Sequence, residues 1–417
     1  MNMDIDNYAY LCGYFFVDRN CMGIPSDVSD SWVQCEYDGA GKQLLSNFYY
    51  PEFVEFCTEY STRYRLGINS DVSVPLNDGS GECTFHVDDI TLGIYPYGVV
   101  IFSIGTAFSG TSEEHVIETL GKLRSCCFYD ETVMKDFLGT VIEPLKRIYK
   151  AFGFEIPSEG ASCPYLVETG NKFKIFQIAH WNGSPVGQEE TDRRLFGLGT
   201  LSNYYPDKMF SSSLEYYEKL MGQGKLSVFN NWKALMLLDT VTFISLDVSD
   251  YQLGIWKDDY FGKIYLYELY RKTYLYRQNL LFRKGVTSAE KLQKELKEFE
   301  RKYTFSVISY NFLPNEIDSK IGANLEFKRE MEDVYHAIEQ DVKAIESERE
   351  GRVNKFLTFL TIMASLSAVW DISSMVEMLV DYEHTLPSVY TGYRVTASLL
   401  IAVILIVALV SNRKKSK

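Results

Sequence analysis

The 417-residue chain carries 56 acidic against 42 basic side chains, a formal charge of −14. That sign disfavours a general electrostatic grip on nucleic acid. The eight cysteines, Cys12 to Cys163, form no CxxC pair, and the five histidines are dispersed, so neither a zinc module nor a disulfide scaffold is expected.

The N-terminal stretch MNMDIDNYAYLCGYFF is acidic and lacks a basic n-region, so no secretory signal is expected. Residues 1–255 are mixed and strand-rich. The run at 90–108 is β-branched and aromatic with Gly and Pro punctuation, and 171–181 alternates with period two. Residues 234–246 suit a buried strand or a helix–strand pair. SEEHVIETLGKLRSCCF and DETVMKDFLGTVIEPLKRIYKAF read as helices capped by Ser112 and Asp130. Together they predict a cytoplasmic α/β or α+β domain whose strand order is open.

From 256 to 315 the pattern turns helical. One aromatic-rich helix ends at Gly285, and Thr287 or Ser288 caps the next. After Pro314, residues Ile317, Ile321, Leu325, Met331, Val334, Ile338, Val342 and Ile345 form one apolar stripe. No proline intervenes before Pro387, so a stalk helix at 316–355 is expected to run unbroken into the membrane.

Two spans are predicted. The first, 356–380, opens with the uncharged FLTFLTIMASLSAVW; the second, 394–412, contains VTASLLIAVILIVALV. Each approaches the roughly 20 residues that cross a bilayer core. Arg352 and Lys355 precede the first span, and the tail at 413–417 is basic, whereas the loop at 381–393 holds Asp381, Glu383 and His384. The positive-inside rule then places both termini in the cytoplasm of a multi-pass cell (inner) membrane protein. From Arg352 onward there are seven basic and four acidic residues, which leaves 42 − 7 = 35 basic and 56 − 4 = 52 acidic residues, or −17, ahead of the membrane.

Asn354, Thr358, Thr361, Ser365, Ala368, Ile372 and Met375 recur at 4-3-4-3 spacing and share one helical face. They read as pore-lining, with hydroxyls and amides standing in for water around an ion; close helix packing in lipid is the other reading. Asp371, Glu377, Asp381 and Glu383 read as cation-attracting at the outer mouth, or as a solvated edge. The stretch 316–350 holds eleven acidic and five basic residues, either a ring of carboxylates in an oligomer or a solvated face with pairs such as Glu339–Lys343. In HWNGSPVGQEETDRR, His180, Arg193 and Arg194 are candidate phosphate-binding groups on a loop, against a plain surface loop. No P-loop, HExxH or GxSxG is present, so no enzyme is expected.

The order of soluble domain, long helix, first span, acidic loop, second span and basic tail resembles the CorA family of divalent-cation channels. Arg352-Val353-Asn354-Lys355 followed by FLTFLTIMASL is similar to that family's signature at the cytoplasmic mouth. The resemblance implies a homopentamer with the first span lining the pore, the stalks forming a funnel, and magnesium or another divalent cation as the cargo. The family's Gly-Met-Asn signature is replaced by Ser373-Ser374-Met375-Val376. Divergent CorA-like proteins of this kind are associated with type III CRISPR defence, which implies a nucleotide messenger such as SAM-AMP acting on the soluble domain. From a different class, a membrane-anchored ligand sensor or effector that conducts nothing also suits these features.

Overall fold

The computed structural model describes residues 4–21, 23–26, 28–77, 79, 81–126, 133–155, 172–180, 187–202, 212–246, 248–379, 392 and 395–396. They divide into two compact units, Met1–Tyr335 and His336–Lys417.

The first unit is built on strands β1 (Asp4–Phe16), β2 (Val33–Cys35), β3 (Thr62–Pro75), β4 (Glu82–Tyr95), β5 (Val99–Ser112), β6 (Lys174–His180), β7 (Lys225–Leu226), β8 (Trp232–Met236) and β9 (Thr240–Ser245). They form one nine-stranded sheet in the order β2-β3-β4-β5-β1-β6-β9-β8-β7. The β6–β9 pair is parallel and every other pair is antiparallel. The 90–108 run becomes the end of β4, a turn and most of β5, and 234–246 becomes the β8–β9 hairpin. Every residue of β8 and β9 is buried, as expected of strands covered on both faces.

After α1 (Gly39–Ser46) and α2 (Pro51–Thr58), one face of the sheet is covered by α3 (Glu113–Arg124), α4 (Lys135–Phe137) with the π-helical turn Leu138–Ile142 and α5 (Glu143–Ala151), α6 (Gln188–Thr200) and α7 (Leu214–Gly224). Ser112 caps α3 by accepting from the His115 N–H, which stabilises a helix by about 1 kcal/mol. Asp130, the other expected cap, lies outside the described residues.

The opposite face carries an aromatic layer. Here α8 (Asp250–Ile255) continues through a π-helix, Trp256–Tyr265, into α9 (Leu266–Arg283), followed by α10 (Ala289–Tyr303) and α11 (Phe312–Asn324). Phe53 and Phe56 of the helix Pro51–Thr58 meet Tyr267 edge-on at 5.3 and 5.1 Å. Tyr274 stacks on Phe299 at 3.9 Å. Tyr265, Tyr267, Tyr270 and Tyr274 are buried, so much of the tyrosine content fills this layer. Gly285 ends α9 with φ 68°, and Ser288 caps α10.

The expected unbroken helix from Glu316 is corrected. The chain leaves α11 at Asn324, and Glu326 takes φ 58° before α12 (Phe327–Leu379) begins. A left-handed residue ends a helix because its carbonyl points out of the helical ladder. Buried Leu325 and Phe327 on either side hold the bend.

The second unit contains most of α12. Among the described residues, one helix is long and apolar enough to cross a membrane, and none of its apolar window is buried. Apart from residues 395 and 396, the expected second span lies outside the described residues.

Candidate functional site

Two regions carry unusual chemistry. The first is on α12, where Asn354, Thr358, Thr361, Ser365, Ala368 and Ile372 fall within an arc of about 80° at 3.6 residues per turn. Each hydroxyl donates to the carbonyl four residues back: Thr358 to Asn354 at 2.7 Å, Thr361 to Leu357 at 2.8 Å and Ser365 to Thr361 at 2.8 Å. The hydroxyl proton is thus satisfied within the helix, while the oxygen lone pairs remain free to accept or to ligate. Off this stripe stand Phe356, Phe359, Met363 and Trp370, each more than half exposed. Such large apolar surface requires lipid or protein cover. Asp371 is exposed beside the stripe. The side chains of Met375 and Glu377, and the whole of Asp381 and Glu383, lie outside the described residues.

The second region is a cavity of about 640 Å³ in the first unit, between the outer strands and the π-helix. Its volume falls in the range of small-molecule sites. Paired irregularities shape its floor. The β3–β4 register slips between Gly67 and Ser70, and the β4–β5 register slips between Val87 and Asp89. Bulges of this kind re-aim side chains, and here Asn69, Asp88 and Asp89 line the cavity. Asn69 adopts φ 47°. The opposite wall is the π-helix, a geometry whose wider turn is frequent at functional sites. Tyr10 stacks on Phe261 at 3.8 Å and closes one side.

The charges in this cavity divide into two kinds. Arg65 Nε donates to Asp89 Oδ2 at 2.5 Å, and Lys263 Nζ donates to Asp259 Oδ1 at 2.5 Å and to the Asp258 carbonyl at 2.9 Å. Burial raises the Asp89 carboxyl, opposed by Arg65. Arg63 and Lys257, in contrast, have no hydrogen bond or ion pair among the described residues, and the Arg63 Nε is buried. Lys257 Nζ sits 3.2 Å from the Tyr8 ring centroid, and burial lowers its pKa against the pull of Asp88 and Asp258. Burial also raises the Tyr10 phenol, helped by Asp89. Sequence reasoning missed this site, because its residues come from β1 to β5 and the π-helix and no local motif joins them.

The expected ligand loop is arranged otherwise. His180 ends β6, and 181–186 lie outside the described residues; Gln188 onward is helix α6. Arg193 pairs with Glu189 at 2.7 Å, while Arg194 reaches Glu190 at 3.2 Å and Glu113 at 3.3 Å. Both arginines are therefore matched by carboxylates, and His180 is not among the residues that line the cavity. Glu339 and Lys343 pair at 2.6 Å on α12, which is the solvated-face arrangement. No family model matches the chain, and no curated protein matches it.

Proposed function

We propose that this chain is the subunit of an oligomeric, CorA-like membrane channel or transporter for cations, gated by its cytoplasmic domain. The observation that carries the reading is the small, polar stripe of α12 set among large exposed apolar side chains. A symmetric ring of such helices turns the stripe inward, where its free oxygen lone pairs replace part of an ion's hydration shell. The apolar faces then meet lipid or the predicted second span. The family resemblance supports a homopentamer, magnesium or another divalent cation as cargo, and cytoplasmic termini. It also supports a role in type III CRISPR defence, with a nucleotide messenger such as SAM-AMP as the gating ligand. No enzymatic step is part of this reading.

The replacement of Gly-Met-Asn by Ser373-Ser374-Met375-Val376 favours a second reading, a membrane-anchored ligand sensor or effector that conducts nothing. Native mass measurement in detergent tests the assembly. The channel reading predicts a closed ring, most simply five copies, and a monomeric protein contradicts it.

A further inference from the structure

We propose that the cavity between the β3–β4 bulges and the π-helix binds a small organic phosphate that also carries hydroxyl or amino donors, with Arg63 and Lys257 holding the phosphate. The inference rests on the reading of the first unit as a ligand sensor and not on whether the protein conducts ions.

The fold builds the cavity and then leaves two of its four cations without an ion pair among the described residues. Arg65 and Lys263 are paired to Asp89 and Asp259, each at 2.5 Å. Arg63, half-buried on β3, has a guanidinium with no hydrogen bond among the described residues, and its Nε has no access to water. Lys257, half-buried on the π-helix, has the face of Tyr8 at 3.2 Å and the charges of Asp88 and Asp258 nearby, but no ion pair among the described residues. A cation withdrawn from water without a partner is destabilising. An anion in the adjoining space removes that cost. Both side chains line this one cavity, and Arg63 Nη1 lies 3.9 Å from where a Cβ on Gly262 of the π-helix would stand. A planar guanidinium and a flexible ammonium lining one cavity suit the several oxygens of a phosphate.

The acidic lining fixes the rest of the ligand. Glu36, Asp88 and Asp258 also border the cavity. Glu36 accepts from Gln34 at 3.0 Å, and Asp88 stands 3.8 Å from His86 Nε2. These carboxylates repel a bare polyanion but accept from hydroxyl or amino groups. Cations and carboxylates thus line one space of about 640 Å³, which suits a ligand that carries both a phosphate and donors.

The test is isothermal titration of the full chain in detergent with AMP and with inorganic pyrophosphate, metal-free. AMP is expected to bind saturably, one per chain. Arg63→Met and Lys257→Met should each weaken it at least tenfold, while Arg193→Met, which removes an already paired cation, leaves it unchanged. Pyrophosphate should bind more weakly than AMP. The ligand-free Arg63→Met protein should melt no lower than wild type, because a cation without a partner has been removed. Failure of AMP to bind, wild-type affinity in either cavity variant, pyrophosphate binding as tightly as AMP, or a lowered melting temperature for Arg63→Met overturns the proposal.

Discussion

The guanidinium of Arg271 lies 3.7 Å from the ring centroid of Phe327, the first residue of α12. Phe327 is buried, Lys272 pairs with Glu330, and Tyr335 donates to Glu300 at 2.5 Å. These contacts fasten the first turns of α12 to α9 and α10 within one unit. Phe327→Ala removes the ring from both the apolar layer and the cation. We expect a loss of about 3 kcal/mol in denaturant unfolding; a loss below about 1 kcal/mol contradicts this role.

Beside that contact, Arg271 pairs with Glu268, and the Asp318 carboxyl lies within the reach of both charges. Burial, then the charge of Glu268, pushes the Asp318 carboxyl well above the usual carboxylate range, against the pull of Arg271. Burial likewise raises Glu268. A carboxyl raised on folding contributes stability that is full below its unfolded pKa and lost as pH rises through its folded pKa. Stability should therefore fall with rising pH above the usual carboxylate range. Asp318→Asn, which cannot ionise, should flatten that fall. Urea unfolding of both proteins from about pH 5 to pH 8 reads the difference, and parallel profiles refute it.

Gly98 turns β4 into β5 with φ 69°, and an added Cβ would stand 2.4 Å from the Val17 carbonyl oxygen and 2.7 Å from that of Asp18. Arg277 also bonds the carbonyls of Tyr97 and Val17 there. Gly98→Ala should cost about 2 kcal/mol or more. Gly121, in α3 with nothing within 4 Å of its added Cβ, should instead gain about 0.5 kcal/mol as alanine. Melting curves of the two variants decide it, and equal shifts contradict the geometry.

Local signals were readable where the physics is local. Ser112 and Ser288 cap the helices that their spacing announced, and Gly285 ends α9 as a left-handed residue should. Sheet order was not readable. The central placement of β1 between β5 and β6, and the parallel β6–β9 pair, depend on contacts far apart in the chain. The bend at Glu326 escaped because neither glycine nor proline marks it; buried Leu325 and Phe327 hold a strained conformation that the sequence does not advertise. The 188–194 stretch reads as a loop because Gly and Pro precede it, yet Glu189–Arg193 and Glu190–Arg194 are i,i+4 pairs of a helix. Arg63 and Lys257 carry no local signal for the same reason as the strand order, since only the tertiary fold brings them to one cavity.

The charge asymmetry around the predicted spans gives a topology test. With the first unit in the cytoplasm, protease added outside sealed right-side-out vesicles should leave it intact until detergent is added. Digestion before detergent contradicts the orientation.

The central proposal concerns the stripe on α12. In a cysteine-free background reconstituted in liposomes and activated by ligand, single cysteines at Thr361 and Ser365 should react with a small charged thiol reagent and reduce cation flux. Cysteines at Phe359 and Met363 should react slowly, because a thiolate hardly forms against lipid or packed protein. Fast, flux-blocking modification confined to the stripe is the result the channel account predicts. Equal reactivity on both faces, with no change in flux, contradicts it and leaves the anchored sensor.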